Sequence, residues 1–475
     1  MVEKMKIETN YEHIQNEIFD IAKLFYPNGE PDIVLDHSML VDNEKSKVFN
    51  KCVIKDEDKE TEVKTEDNLK YFEDALTKKR YLKRFAKLCI YKTFAKHLDQ
   101  NLPWGSLTGI RPTKLAYDLI AEGVEPHLIK ETLMNTFLVS NEKAGLVAKI
   151  LQNQNCIIKN DNLIDLYVNI PVCPSRCVYC SFISSELNAV SKIIPEYLEC
   201  LIKEIRAVKQ IIADKAYVVR TIYMGGGTPT SLTAEQLDLL LSELTYPVNE
   251  FTVECGRPDT ITREKLEVLK KNNVTRICVN PQSFNAKTLK TIGRNHTVQD
   301  IIEAYKLALE FEFDVNMDLI AGLPGEKFSH FKHSLDTALE LCPHNITVHT
   351  LSVKQGAKLA EANDIDKKDK EISKMVDYAY KNLLEQGYKP YYMYRQKNQL
   401  NGLENVGYMQ QGKICIFNVD SMEEASTIIA CGANAITKRV YHLENRIERQ
   451  ANMKFLHDYI KNIDQIIEKK KEFFK

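Results

Sequence analysis

The sequence predicts an α/β protein: an incomplete, TIM-like (β/α)6 barrel with an N-terminal α+β domain and a small C-terminal domain. Three observations predict it. From about Asp161, short β-rich runs alternate with amphipathic helical patterns, six times in succession. The β-rich runs are near-continuous in apolar residues, as strands of a parallel sheet covered on both faces are. A closed barrel needs eight strands and roughly 250 residues, so six units leave the barrel open.

In chain order, residues 1–160 form the N-terminal α+β domain, for which the sequence suggests no role. Apolar spacing predicts a helix from Tyr11 to Phe25, stopped by PNGEP, which a helix cannot cross. Two strand-like runs follow, DIVLDHSML and KSKVFNKCVI. The next stretch, KDEDKETEVKTED, is almost wholly charged and is expected to be a solvated loop. Residues 70–100 and 112–153 carry the 3.6-residue period of helices. Between them lies LPWGSLTGIRPTK, with Trp104, the only tryptophan.

Residues 161–365 form the barrel core. Its strands are LIDLYVNI, VVRTIYMG, EFTVECG, TRICVNPQ, FDVNMDLIAG and NITVHTLSV. Its helices include EYLECLIKEIRAVKQII, TAEQLDLLLSEL, TREKLEVLKKN, TVQDIIEAYKLALEF and HFKHSLDTALELC. Residues 366–475 are expected to complete the substrate site. They hold a long helix (Asp369 to Gln386), a Tyr-rich segment, a short β-α stretch and a terminal helix. The last residues, KKKEFFK, are expected to be a frayed, solvated end.

Composition narrows the functional classes. The chain has 475 residues, 44% hydrophobic and 27% charged, as ordinary globular domains do. Lys and Arg (64) nearly balance Asp and Glu (66), for a net charge of −2. That balance argues against nucleic acid or an anionic membrane as the main partner. No run approaches the roughly 18 apolar residues of a membrane span, and the start lacks an apolar leader core. The expected compartment is the cytoplasm. The 12 cysteines are therefore not read as a disulfide framework. Cys89, Cys200 and Cys342 lie in amphipathic helical patterns and are expected to pack in the core.

Cys173, Cys177 and Cys180 stand apart. YVNIPVCPSRCVYCSF spaces them C-x3-C-x2-C directly after the first barrel strand, and chemistry in parallel barrels gathers at strand C-termini. Three thiolates on one short loop can converge on one metal centre. A tetrahedral zinc site wants a fourth ligand, and no Cys or His follows until Cys200. An iron–sulfur cluster of four irons that only carries electrons uses four cysteines. With three, one iron keeps a position open for a substrate. The second barrel strand ends in IYMGGGTPT. Gly225 to Gly227 are a pointed run in a chain with only 18 glycines, because a backbone without Cβ atoms admits a ligand closely.

With Tyr179 just before the third cysteine, these motifs resemble those of radical S-adenosylmethionine (SAM) enzymes. Glu254 at the third strand, Gln282 in VNPQSFN, Arg294 in IGRNH and Asp318 in MDLIAGLPGE, with YYMYRQKN, LENVGY and TGIRPTKL, narrow the resemblance. In order and spacing they are similar to the oxygen-independent coproporphyrinogen III oxidases and their relatives, and within these to the branch called HemZ. The resemblance implies a [4Fe-4S] cluster on Cys173, Cys177 and Cys180, whose open iron chelates SAM. One electron then cleaves SAM to methionine and a 5′-deoxyadenosyl radical, which abstracts hydrogen from substrate. By motif, Tyr167, Gly226 and Glu254 hold that SAM. Tyr179, Gly227, Thr228, Gln282, Arg294 and Asp318 match positions that hold a second SAM in the founding enzyme, and Gln282, Arg294 and Asp318 are the catalytic candidates.

The implied reaction converts two propionates of coproporphyrinogen III to vinyl groups, giving protoporphyrinogen IX in haem biosynthesis. It implies a tetrapyrrole substrate and an electron donor such as flavodoxin or ferredoxin. A substrate with several carboxylates asks for cations at the barrel mouth, and Arg257, Arg294, Lys354 and Arg395 are the candidates. The sequence departs from the founding enzyme at Ser181 and Phe182, where a further cysteine would closely follow Cys180. That ending is more like the haem-carrying relatives, which do not decarboxylate. A haem chaperone, or another radical SAM reaction on a tetrapyrrole such as methyl transfer, are the alternative readings.

Overall fold

The computed structural model describes residues 5–26, 29, 31–69, 72, 75–108, 111–180, 182, 185–352, 357, 359, 370–396 and 399–475. Two units emerge. The first is Met1–Lys149, Asp366–Lys370 and Arg395–Leu403; the second is Ile150–Ile365, Glu371–Tyr394 and Glu404–Lys475. The C-terminal segment from Glu404 thus shares a unit with the core strands. Among the described residues, no helix is long and apolar enough to cross a membrane.

The first unit contains β1 (Lys6–Thr9), α1 (Gln15–Phe25), β2 (Val34–Asp42), β3 (Lys47–Lys55), β4 (Glu60–Asn68) and α2 (Ala75–Leu98), then α3 (Pro112–Ala121), α4 (Ile129–Phe137) and α5 (Asn141–Asn153) up to Lys149. The sheet runs β1-β2-β3-β4, with β1 parallel to β2 and the rest antiparallel. The inward residues Leu35, Cys52 and Ile54 meet Ile18 and Phe25 of α1 and Cys89, Ile90 and Phe94 of α2 in one core. The Phe25 and Phe94 rings stack at 5.4 Å.

The charged stretch expected to be a loop is largely β4. Its acidic and basic side chains hide a period of two. Thr61, Val63 and Thr65 turn inward while Glu60, Glu62, Lys64 and Glu66 stay exposed. Lys51 of β3 pairs across the strands with Glu62 at 2.9 Å, and Lys47 with Glu66 at 3.3 Å. A charged edge strand of this kind resists pairing with other chains.

The second unit opens with β5 (Leu163–Ile170), the short β6 (Val172–Cys173) and β7 (Ser185–Glu186), α6 (Leu187–Val190) and α7 (Ile194–Asp214). There follow β8 (Val218–Gly226), α8 (Ala234–Leu241), β9 (Glu250–Val253), α9 (Arg263–Lys271), β10 (Arg276–Cys278), α10 (Ala286–Thr291), α11 (Val298–Glu310), β11 (Asp314–Ala321), α12 (Phe328–Leu341) and β12 (Asn345–Thr350). Next come α13 (Lys370–Glu385), β13 (Lys389–Tyr394), β14 (Asn405–Met409), α14 (Ile416–Glu423), β15 (Thr427–Cys431), β16 (Ile436–Tyr441), β17 (Arg446–Ala451), α15 (Leu456–Lys461) and α16 (Ile463–Phe473).

All six expected barrel strands are present, parallel and in chain order: β5, β8, β9, β10, β11, β12. β15 extends the set in parallel beside β5, and the antiparallel pairs β14–β13 and β16–β17 extend the two flanks. The strands read as apolar because they are buried nearly throughout, β9 at all four positions. The helices start on the caps that their sequences supply. Thr233 and Gln236 form a capping box on α8, and Thr297 and Asp300 on α11.

At the strand N-termini, the segment from Lys413 to Phe417 lies against β9, β10 and β11. Arg276 donates to the carbonyls of Lys413 (3.2 Å) and Ile414 (3.0 Å), and the Glu250 carboxylate accepts the Ile416 (2.9 Å) and Phe417 (3.3 Å) amides. The Phe417 ring stacks on Tyr223 at 4.4 Å.

Two further expectations are corrected. The chain end is not frayed. Lys470 is buried against Glu204 at 2.7 Å, and Phe474 is 1% exposed. The apolar stem of lysine packs in the interior while its ammonium finds a carboxylate. Cys342 is exposed rather than in the core, because it takes the left-handed position (φ 56°) that ends α12. Cys200 is half-buried, and Cys89 is buried as expected.

Candidate functional site

The loop after β5 carries the three cysteines. Cys177 is buried, and Cys173 and Cys180 are half-buried. Neighbours at the same strand ends tie the loop down. Gly227 N donates to Ile170 O (2.9 Å) and Thr228 N to Val172 O (2.8 Å). Thr228 Oγ1 lies 3.5 Å from Cys173 Sγ. Val178 N donates to Ile292 O (3.1 Å), and Ser175 Oγ to Gly293 O (3.3 Å). Among the described residues, no three His, Cys, Asp or Glu groups close around a single ion. A cuboidal cluster binds its three thiolates at separate irons, so it asks for no such common point.

The glycine run is tight for reasons that differ at each residue. A Cβ on Gly225 would stand 2.8 Å from the Glu254 carboxyl; on Gly226, 1.8 Å from Asn169 Oδ1; on Gly227, 2.5 Å from the Val172 carbonyl. Gly226 also has φ +97°, where L side chains are strained. Asn169 is held in turn. Its Oδ1 accepts from Tyr167 Oη (3.0 Å), its Nδ2 donates to Ala433 O, and its carbonyl accepts from Tyr197 Oη (2.6 Å).

Glu254 follows β9 and accepts from Tyr223 Oη at 2.7 Å. Burial pushes its carboxyl up to about 7, and the nearby Asp318 charge adds to the rise. Burial would push Asp318 up as well, but His349, Asn316 and Thr347 outweigh it and hold that carboxyl below its ordinary value. Two half-buried carboxylates with opposite tendencies therefore face one region. Beside them, Gln282 Oε1 and Asn280 Oδ1 are buried without a hydrogen-bond partner among the described residues. Gln282 adopts φ +64°, and its amide donates to Asp318 O (2.8 Å). The region therefore offers buried acceptors to a cationic ligand rich in N–H and O–H donors. SAM, with its ammonium, sulfonium and ribose hydroxyls, has that chemistry.

Arg294 is buried, and its fork is partly used by the protein. Nη1 donates to the Asn280 and Gly256 carbonyls, the second at 3.2 Å, and Nη2 lies 3.4 Å from Tyr179 Oη. Burial opposes its charge, but Tyr179 and Cys177 favour it and hold its pKa above the ordinary value. Arg257 spends its fork on Asp259, with two contacts at 2.9 Å, and reaches Ser175 of the cysteine loop at 3.0 Å. Arg395 lies in the first unit. There it stacks over Trp104 and donates to the Leu107 (2.7 Å) and Gly402 (2.8 Å) carbonyls. Lys354 lies outside the described residues.

The second unit thus gathers Tyr167, the three cysteines, Tyr179, Gly226, Gly227, Thr228, Glu254, Gln282, Arg294 and Asp318 at or near the C-terminal ends of its parallel strands. Sequence reasoning missed Asn169, Asn280, His349 and Tyr394. The alternation Thr347-x-His349 and Tyr392-x-Tyr394 was the one available signal for the last two.

Residues 167–338 match the family described as the Radical SAM superfamily. The fold and this match define a radical SAM protein, whose family cofactors are a [4Fe-4S] cluster and SAM. The oxygen-independent coproporphyrinogen-III oxidase-like protein HemZ of Bacillus subtilis (strain 168) is 36% identical, over 96% of this chain and 96% of its own. The heme chaperone HemW of the same organism is 35% identical over 40% of this chain and 50% of its own. Among solved structures, coproporphyrinogen III oxidase (HemN) from Escherichia coli matches with a TM-score of 0.51 and 20% identity. That match covers 66% of this chain and 72% of HemN. The chain belongs to the family of oxygen-independent coproporphyrinogen-III oxidase-like proteins.

Proposed function

We propose that the protein is a radical SAM oxidoreductase that decarboxylates coproporphyrinogen III to protoporphyrinogen IX without oxygen. The observation that carries the reading is the end-to-end likeness to an oxygen-independent coproporphyrinogen-III oxidase-like protein, 96% of both chains. At each of two propionates, a hydrogen atom leaves the β-carbon. The bond to the carboxylate then breaks, carbon dioxide departs, and one electron passes to an acceptor, leaving a vinyl group.

In this reading Cys173, Cys177 and Cys180 would hold the cluster, and Tyr167, Gly226 and Glu254 would hold SAM beside it. The pair would supply hydrogen abstraction from unactivated carbon. Glu254, once ionised, would accept hydrogen bonds from the SAM amino group. Tyr179, Gly227, Thr228, Gln282, Arg294 and Asp318 hold and orient the second ligand. Arg294, whose Nη1 donates to the Gly256 and Asn280 carbonyls, would set its guanidinium beside that ligand. Residues 366–475 would complete the substrate site, and a flavodoxin- or ferredoxin-type protein would be the electron donor.

Haem carriage is the second reading. The likeness to a heme chaperone and the Ser181–Phe182 ending favour it. One experiment separates the two. Anaerobically reconstituted protein is given SAM, dithionite and coproporphyrinogen III, and the products are read by mass spectrometry. Protoporphyrinogen IX in amounts exceeding the protein supports the oxidase. Tight haem binding with no such product overturns it in favour of the carrier.

A further inference from the structure

Three strands of the second unit carry polar pairs two residues apart, so each pair shares a face. They are Asn316 and Asp318 on β11, Thr347 and His349 on β12, and Tyr392 and Tyr394 on β13. The pairs align as two rungs. In the first, Thr347 Oγ1 lies 3.2 Å from Asn316 Oδ1 and 3.3 Å from Tyr392 Oη. In the second, His349 Nε2 lies 3.6 Å from Asp318 Oδ2, and its Nδ1 lies 3.2 Å from Tyr394 Oη.

β14 stands between β12 and β13, and the tyrosines must cross it. Gly407 makes this possible: a Cβ there would stand 1.8 Å from the Tyr392 ring. The Tyr394 ring stacks on Tyr392 at 6.5 Å and 14°. An ionised carboxylate only accepts, while a phenol donates. The imidazole lies between them, with Nε2 at ion-pair distance from Asp318 and Nδ1 at hydrogen-bond distance from Tyr394 Oη.

We infer that His349, seated between Asp318 and Tyr394, is a positioning residue that fixes the Asp318 carboxylate for the ligand it holds. The inference rests on the reading of Asp318 as a SAM-binding residue. At Glu254 desolvation wins over Tyr223 and His349 and carries the carboxyl toward the neutral form, which cannot grip a cation. Asp318 is half-buried too, yet is held below its ordinary value, His349 being the foremost of the groups that lower it. The same imidazole also lowers the Glu254 carboxyl. The other groups facing it are Asn316 on β11, Thr347 on its own strand and Tyr392 on β13.

The test compares Asp318→Ala, His349→Ala, His349→Gln, Tyr394→Phe and the Asp318→Ala/His349→Ala double variant. Two quantities are read: SAM affinity by equilibrium dialysis, and 5′-deoxyadenosine released per porphyrin product. His349→Ala is expected to weaken SAM binding about tenfold, the worth of one charge-assisted contact, and to raise the ratio through abortive SAM cleavage. His349→Gln, which keeps a donor, should recover part of both. The double variant should be no worse than Asp318→Ala.

A purely structural role would lower both products together and leave the ratio unchanged, which overturns the inference. An additive double variant also overturns it. Wild-type values in His349→Ala beside a damaged Asp318→Ala overturn the inference and leave the reading of Asp318 standing. Wild-type values in Asp318→Ala overturn that reading, and the inference with it. If the His349 variants fail to fold, Tyr394→Phe carries the same test, because it keeps the ring: a raised ratio supports the role and a wild-type ratio overturns it.

Discussion

Asn169 and Gly226 face each other so closely that residue 226 has room for hydrogen alone: a Cβ there would stand 1.8 Å from Asn169 Oδ1. The amide cannot swing aside, because Tyr167 donates to its oxygen and Ala433 accepts from its nitrogen. Gly226→Ala therefore strains a positive φ and displaces Asn169 together with Tyr167. The backbone conformation alone should cost roughly 1–2 kcal/mol of stability, and the displacement of Asn169 and Tyr167 should weaken SAM binding. Iron and sulfide content after reconstitution should stay at the wild-type level. Unchanged SAM affinity in a folded variant would remove this loop from the ligand site.

The cysteine triad should answer to a metal assay one residue at a time. Cys173→Ala, Cys177→Ala and Cys180→Ala should each lose the broad brown absorption of the reconstituted cluster. Cys89→Ala should keep it, since that thiol lies in the core of the first unit. Full iron and sulfide in any triad variant would contradict the ligand assignment.

Glu254 predicts a pH dependence with a definite sign. Its carboxyl is raised to about 7 in the folded protein. Without ligand, the stability from its neutral form is fully present below the ordinary carboxylate value and is lost as pH rises through about 7. A cationic ligand needs the ionised form, so SAM affinity should rise through the same window and then level off. Thermal melts with and without SAM at pH 6 and pH 8 measure both slopes. Glu254→Gln, which cannot titrate, should bind weakly and flatten the difference from wild type.

Lys470 and Glu204 make the chain end a structural element. Glu204 also accepts from Tyr459 (2.6 Å), Asn452 (2.8 Å) and the Gly432 amide (2.7 Å). Lys470→Ala strands a buried carboxylate and should cost about 3–5 kcal/mol, read by urea unfolding. Lys470→Met/Glu204→Gln should recover a large part of that loss. Wild-type stability in Lys470→Ala would mean that water reaches Glu204.

The Arg294 fork separates two uses of one guanidinium. Lysine cannot bridge the Asn280 and Gly256 carbonyls while also reaching Tyr179. Arg294→Lys should therefore resemble Arg294→Ala in losing porphyrin product, while 5′-deoxyadenosine release persists. Product at the wild-type rate in Arg294→Ala would reduce this residue to scaffold.

The parts of the fold that rest on local pattern were legible in the sequence. β5 and β8 to β12 announced themselves by near-continuous apolar runs, and α7 and α11 by their spacing. β4 did not, because its inward side consists of Thr61, Val63 and Thr65, a weak apolar signal beside so many charges. The buried end of α16 was hidden because nothing near Lys470 in sequence reveals Glu204, which lies on α7. The β16–β17 hairpin was unread for a similar reason: its exposed, charged residues carry little apolar alternation. At the site, the cysteine spacing and the glycine run were local and therefore visible. Asn169, His349 and Tyr394 owe their positions to the register of strands far apart in sequence. In the linear chain, His349 is one polar residue in an apolar run.

The segment from Lys413 to Phe417 ties the strand starts of the second unit to a stretch of chain far from them in sequence. Arg276 of β10 and Glu250 of β9 fasten it there, and the Phe417 ring stacks on Tyr223. The cysteine loop follows the opposite, C-terminal ends of the same parallel strands. One sheet therefore keeps its fastening and its candidate chemistry at different ends, and a change in the 413–417 segment should be felt in stability before it is felt at the site.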